Sequence, residues 1–249
     1  MKTLSCRSKA ATLAYLQPRL RHAIVDPLHA FTVDEWRAAA DEILADLARR
    51  FADQPVIVRS SAVDEDARDG SRAGHYRTEP DVPAGDFARL RDAIERVVAS
   101  YGKHGRTPHP LDEVLVQRQV RDVTLAGVIL TRDSVSGAPY YVINYDDRSG
   151  TTDRVTSGTG GRQMRLARWH AGSRFDRPWD GLLAAVREIE ALLDQHPLDI
   201  EFAIDRCGAI HIFQARPLLS ASPPGGPASD AWFAAAASAL EPEVACRLA

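Results

Sequence analysis

Two alternating segments near the carboxyl end, Asp199-Ile200-Glu201-Phe202-Ala203-Ile204-Asp205 and Ile210-His211-Ile212-Phe213-Gln214-Ala215-Arg216-Pro217, read as the arms of a β-hairpin. Strand side chains alternate with period 2, so Ile200, Phe202 and Ile204 share one face and Asp199 and Glu201 share the other. On the second arm Gln214 and Arg216 likewise share a face. With Cys207-Gly208 as a two-residue turn, Glu201 lies opposite Gln214 and Asp199 opposite Arg216. Two carboxylates, an amide oxygen and a guanidinium then meet on one patch. Hard oxygen donors suit Mg²⁺ and arginine suits phosphate, so the patch has the chemistry of a metal–nucleotide site. An exposed edge hairpin carrying a surface salt bridge has the same pattern.

A second informative stretch begins with the apolar run Val56-Ile57-Val58 and delivers Arg59 into the polar segment from Ser60 to Thr78, which holds Gly70, Ser71 and Gly74. A buried strand ending in this way can present a guanidinium, hydroxyls and backbone N–H groups to phosphate. A polar surface loop after a core strand reads the same. Neither GxxxxGK[ST] nor GxGxxG occurs anywhere, so the chain has no Walker A loop and no dinucleotide fingerprint.

Between these stretches helices and strands mix. A helix is expected from about Lys9 to Leu16, stopping near Pro18. Thr32 and Glu35 have capping-box spacing, and Trp36, Ala40, Ile43, Leu44 and Leu47 then recur at helical intervals. A third helix is expected over 86–101, with Phe87, Leu90, Ile94, Val97 and Val98 on one side, and a fourth over 179–193. The runs 114–116, 127–130, 140–143 and 163–169 are expected strands, with Ser136-Gly137 as the turn before the third. The stretch 149–161 is Gly/Ser/Thr-rich, 220–227 has linker composition, and the residues beyond it read as a short Ala-rich helix. This order gives an α+β chain, expected as an amino-terminal lobe (1–112), a carboxy-terminal lobe (113–218) and a linker with tail helix (219–249).

The formal net charge of −3, with arginines spread along the chain, leaves no electrostatic footprint for nucleic acid. No stretch approaches the ~20 apolar residues that span a bilayer. Cys6, Cys207 and Cys246 form no CxxC pair, which argues against a disulfide framework or structural zinc site. The expected location is cytoplasmic, with neither nucleic acid nor membrane as partner.

Taken together, several blocks resemble one family. Val58-Arg59-Ser60-Ser61 with Glu65-Asp66 and Ser71-x-Ala-Gly74-x-x-x-Thr78 resembles a signature of the ATP-binding domain of phosphoenolpyruvate synthase and pyruvate phosphate dikinase. Val116-Gln117-Arg118-Gln119-Val120 and Ala126-Gly127-Val128-Ile129-Leu130-Thr131 are similar to its VQxMV and SGVxFT segments. Asp199-Ile200-Glu201-Phe202-Ala203-Ile204 and Gln214-Ala215-Arg216-Pro217 are similar to its DIEWAI and QARP ends, and Ser8-Lys9-Ala10 to its GGKGANLAEL opening. The resemblance implies a two-lobed ATP-grasp-like fold, with mixed or antiparallel sheets, flanking helices, and Mg-ATP between the lobes.

It also implies roles. Lys9 and Arg59 contact ATP phosphates, the loop carrying Ser71, Gly74 and Thr78 closes over them, and Gln117, Gln119 and Val120 form the hinge facing adenine. Glu201 and Gln214 hold Mg²⁺ with Asp199 close behind, and Arg216 stabilises the phosphoryl group in flight; Lys9, Arg59 and Arg216 are thus the catalytic set. The implied activity is ATP-dependent phosphotransfer to a histidine on another domain or chain, or to a small molecule. A regulatory ATP-binding module and an ATP-grasp ligase making an acyl phosphate are the alternatives. Departures are Arg7 and Ser8 for the opening glycines, Gln119 for methionine, Ala126 for serine, and the segment holding Asp146, Asp147 and Asp153 for a glycine-rich one. None of the eight histidines sits in the Gly-Gly-x-Thr-x-His setting of the family's phospho-acceptor. Asp146, Asp147 and Asp153 are read either as metal or substrate contacts or as a polar turn, and His211 as structural.

Overall fold

The computed structural model describes residues 8–52, 54–62, 76–102, 107–147, 161–168, 177–194 and 197–218. Ser71, Gly74, Asp153 and the linker and tail after residue 218 lie outside the described residues.

Local signals account for the helices. Helix α1 (Lys9–Leu16) starts at Ser8, whose hydroxyl accepts from the Ala11 N–H. Helix α2 (Val33–Phe51) carries the expected capping box: the Thr32 hydroxyl accepts from Glu35 N–H, and the Glu35 carboxylate accepts from Thr32 N–H. Helix α3 (Phe87–Ser100) is capped by Asp86, and helix α4 (Trp179–Leu193) ends at Asp194 in a left-handed conformation.

Strands β1 (Leu28–Thr32), β2 (Pro55–Ser61), β3 (Thr78–Pro83) and β4 (Glu113–Arg118) form an antiparallel sheet in the order β1-β4-β2-β3. Val56, Val58, Val114 and Val116 point into a core with Trp36, Leu44 and Leu47 of α2 and Leu90, Ile94 and Val97 of α3. Period-2 alternation sends Ile57, Arg59, Ser61, Glu113, Leu115 and Gln117 to the opposite face. Neither β1 nor β3 is anticipated from the sequence. β3 contains Pro80 and Pro83 and is an edge strand, the place in a sheet where prolines are tolerated. β4 hydrogen-bonds into this first sheet, so the change of sheet falls after Arg118 and not at residue 113.

The second sheet is also antiparallel: β5 (Val123–Leu130), β6 (Tyr140–Asp146), β7 (Arg162–Ala167), β8 (Leu198–Asp205) and β9 (Ile210–Pro217), in the order β7-β6-β5-β8-β9. Its apolar face holds Ile129, Ile143, Ile200, Phe202 and Ile212, covered by Leu13 and Leu16 of α1 and by Leu182, Val186 and Ile189 of α4. Ile24 lies alongside His211 as a parallel bridge and covers part of the β9 edge. Among the described residues no helix is long and apolar enough to cross a membrane.

The β8–β9 hairpin has the expected partners, Asp199 opposite Arg216 and Glu201 opposite Gln214. It reaches them by a different route. The turn is not the two-residue Cys207-Gly208: Asp205 N–H bonds to the Ala209 carbonyl, leaving Arg206, Cys207 and Gly208 as a three-residue loop with Gly208 at φ 83. A bulge where Ile212 and Gln214 face the consecutive residues Phe202 and Glu201 leaves Phe213 unpaired and restores the register. The bulge also settles a conflict in the sequence. Unbroken alternation would put Ile210, Ile212, Gln214 and Arg216 on one face. With Phe213 inserted, Ile210 and Ile212 enter the core while Gln214 and Arg216 join Glu201 and Asp199.

Candidate functional site

The polar face of the first sheet meets the polar face of the second through Arg59. Its Nη2 donates to Glu201 Oε2 at 2.9 Å and its Nη1 to the Phe213 carbonyl at 3.0 Å. The bulge thus turns a carbonyl out of the strand ladder and gives it to the guanidinium. The Arg59 and Glu201 side chains are only 13% and 14% exposed, so water screens the pair weakly.

Three further groups gather here. Lys9, first residue of α1, is buried, with Nζ 3.4 Å from the Ser60 carbonyl. Arg216 is buried, and its Nε and Nη2 donate to Asp199 Oδ2 at 3.0 and 2.9 Å. Gln214 is buried beside Glu201 across the hairpin. Burial alone would push the Glu201 carboxyl up, but the positive charges of Arg59, then Lys9, and also Arg216, hold it below the ordinary carboxylate value. Lys9, Arg59 and Arg216 against Glu201 and Asp199 leave this cluster with one surplus positive charge, which suits a polyanion.

The amino end of α1 is fixed by a small network. Ser8 Oγ donates to Glu113 at 2.6 Å, Ser61 Oγ donates to the same carboxylate at 3.3 Å, and Ala10 N–H donates to Ser61 Oγ at 3.2 Å. Ser8 and Ser61 were legible only as motif neighbours; Glu113 had no signal of its own. Thr78 stands opposite Arg59 across β2 and β3 and is exposed. Ser71 and Gly74 of the same expected loop lie outside the described residues.

The expected hinge divides. Gln117 lies on the face of the first sheet that carries Arg59; both polar side-chain atoms are buried without a hydrogen-bond partner among the described residues. Gln119 turns away: its amide accepts from Asp81 N–H and donates to the Asp81 carboxylate at 3.1 Å. Gln119 and Val120 help to line a cavity of about 300 Å³ with Gln54, Arg118, Asp205 and His211. His211 Nδ1 lies 2.7 Å from the fully buried Asp26, which also accepts from Arg118, and Nε2 lies 3.5 Å from Asp205. His211 is thus held between two carboxylates, and the local sequence gives no sign of its partner Asp26, 185 positions away. Asp147, just past β6, pairs with Arg162 of β7 at 2.8 Å, and Asp146 is buried.

The family model for "Pyruvate phosphate dikinase, AMP/ATP-binding domain" matches residues 7–159. The chain belongs to that family. Its two antiparallel sheets with flanking helices are the α+β arrangement expected from the sequence. No curated protein sequence matches the chain. Among solved structures it is similar to an L-amino acid ligase from Bacillus licheniformis (16% identity, 85% of this chain and 42% of that one, TM-score 0.48). It is also similar to a D-alanine-D-alanine ligase from Coxiella burnetii (12% identity, 87% and 49%, TM-score 0.49) and VanG D-Ala:D-Ser ligase from Enterococcus faecalis (15%, 88% and 55%, TM-score 0.46). The chain spans about half the length of these proteins.

Proposed function

We propose that this chain is a Mg-ATP-dependent phosphotransferase domain that passes phosphate from ATP to an acceptor outside itself, a histidine on another domain or chain or a small molecule. The observation that carries the reading is the meeting of Lys9, Arg59 and Arg216 with Glu201 and Gln214, supplied by both sheets and α1. Phosphoryl transfer asks for positioning and positive charge and for no protein nucleophile at the donor phosphate. Lys9 and Arg59 bind phosphate oxygens in this reading, and Arg216, oriented by Asp199, faces the transferred group. The backbone of Gln119 and Val120 borders the base, and Gln117 offers a buried donor and acceptor to it.

The donor set fits Mg²⁺. Glu201 gives a carboxylate and Gln214 an amide oxygen, with Asp199 behind; Mg²⁺ commonly takes one or two protein oxygens and completes its shell with water and substrate phosphates. When bound, Mg²⁺ neutralises charge on the phosphate oxygens. Among the described residues no group of three or more His, Cys, Asp or Glu side chains is placed to hold a metal ion.

The test is incubation with Mg²⁺ and ATP labelled at the β or γ phosphate, with and without candidate acceptors, and with Arg216→Ala as control. Label transfer that is lost in Arg216→Ala supports the reading. AMP with phosphate identifies a dikinase-type reaction, and ADP a simple kinase or ligase. No turnover with any acceptor removes phosphotransfer and leaves a binding module.

A further inference from the structure

Arg59 and Glu201 have opposite expected duties, one on phosphate and one on a divalent cation, yet they are bonded to each other at 2.9 Å. The bond joins residues 142 positions apart and spans the two sheets, and the second arm of the Arg59 guanidinium is taken by the Phe213 carbonyl at 3.0 Å. With both side chains at least 86% buried, neither group can exchange its partner for bulk water at little cost. A bare divalent cation approaching Glu201 meets a carboxylate already neutralised and flanked by Lys9, Arg59 and Arg216. A polyphosphate arriving without metal can draw Arg59 away only by leaving Glu201 buried without its closest counter-charge. When both arrive, phosphate replaces Glu201 on Arg59 and the cation replaces Arg59 on Glu201, and every charge keeps a partner.

Resting on the function proposed above, we infer that the Arg59–Glu201 pair is an autoinhibitory latch between the sheets, so that this site admits a divalent cation and a nucleoside polyphosphate only as mutually dependent ligands. A ligand shifts such an equilibrium by its preference for the open arrangement, and here each ligand supplies the exchange partner the other needs. The latch shields Glu201 from free Mg²⁺ and ties the two sheets together through the Phe213 carbonyl.

The test uses Mn²⁺ as the cation and the β,γ-imido analogue of ATP as the nucleotide, each titrated calorimetrically into the full chain. In Arg59→Gln the latch is open and Glu201 has lost its closest counter-charge, so Mn²⁺ without nucleotide binds about tenfold more tightly than to wild type, while nucleotide binding weakens. In Glu201→Gln the guanidinium is released, so the nucleotide in metal-chelating buffer binds about tenfold more tightly than to wild type. A merely structural pair predicts loss on both substitutions and gain on neither. Unchanged or weaker Mn²⁺ binding in Arg59→Gln, or unchanged metal-free nucleotide binding in Glu201→Gln, overturns the latch. Circular dichroism checks folding, and if Arg59→Gln does not fold, the Glu201→Gln titration decides. The proposed function fails separately: wild type that binds no nucleotide even with Mn²⁺ removes it, whereas the Mn²⁺ comparison still judges the latch.

Discussion

Asp26→Asn is the substitution whose consequences follow furthest from the structure. Asp26 is fully buried and serves two cations at once, Arg118 through Oδ1 and His211 through Oδ2. Burial would raise its pKa, but the bonds from His211 and Arg118 outweigh that and hold it below the ordinary 3.8. Burial would likewise lower His211, and Asp26 with Asp205 outweighs that, placing it above the ordinary 6.5. The signs follow by linkage. The stability from Asp26 is present above its unfolded value and is lost as pH falls through its lowered folded value. The stability from His211 is present below its unfolded value and is lost as pH rises through its raised folded value. Both contributions therefore coexist between the two, in mildly acidic solution.

Removing one member of a buried pair costs about 3–5 kcal/mol when the other stays charged and buried. Two features reduce that here: Arg118 remains 39% exposed, and His211 can lose its proton. The expected loss is about 1–3 kcal/mol at about pH 5.5 and smaller at about pH 9, where wild type has already given up the His211 contribution. Urea melts of both proteins at the two pH values measure it. Equal losses at both, or a greater loss at the alkaline value, would show that His211 is not charged against Asp26.

Thr32→Ala removes the hydroxyl half of the α2 capping box and should cost about 1 kcal/mol in the same melts; no change would mean that the Glu35 half suffices. Gly127→Ala places a Cβ 2.3 Å from the Asn144 carbonyl and 3.0 Å from Tyr145 Cα, both backbone atoms of the neighbouring strand. That strand must move, so the expected cost is about 3 kcal/mol, or a melting temperature lower by about 6–12 °C; a melt within a degree of wild type would refute the close approach. Tyr141→Phe removes the hydroxyl that donates to buried Glu190 at 3.1 Å, and should cost about 1–2 kcal/mol because Arg168 still holds that carboxylate.

Much of the fold was legible wherever one period dominated a segment. The α2 capping box, the apolar spacing of α3 from Leu90 to Val98 and the alternation of β8 stand in the sequence and reappear in the structure, whereas Phe87, expected on the same side of α3, is exposed. β1 and β3 escaped because they are edge strands: Leu28-His29-Ala30-Phe31-Thr32 has no clean alternation, and β3 holds two prolines. Their strand state comes from pairing with β4 and β2, which no local window contains. The Phe213 bulge did leave a trace, the clash of Ile210 and Ile212 with Gln214 and Arg216 at equal parity. Asp26 left none, because its meaning arises only when β9 folds back over the segment that bears it. The same holds for Arg59 and Glu201: a motif placed each, but their bond depends on two sheets meeting.

The most direct measurement is a crystal structure of the full chain grown with Mn²⁺ and the β,γ-imido analogue of ATP, with anomalous data at the manganese edge. The expected result is a manganese peak bonded to Glu201 and Gln214, phosphates against Lys9, Arg59 and Arg216, and the base beside Gln117 and Val120. A nucleotide bound outside the space between the two sheets, or manganese on neither Glu201 nor Gln214, would contradict it.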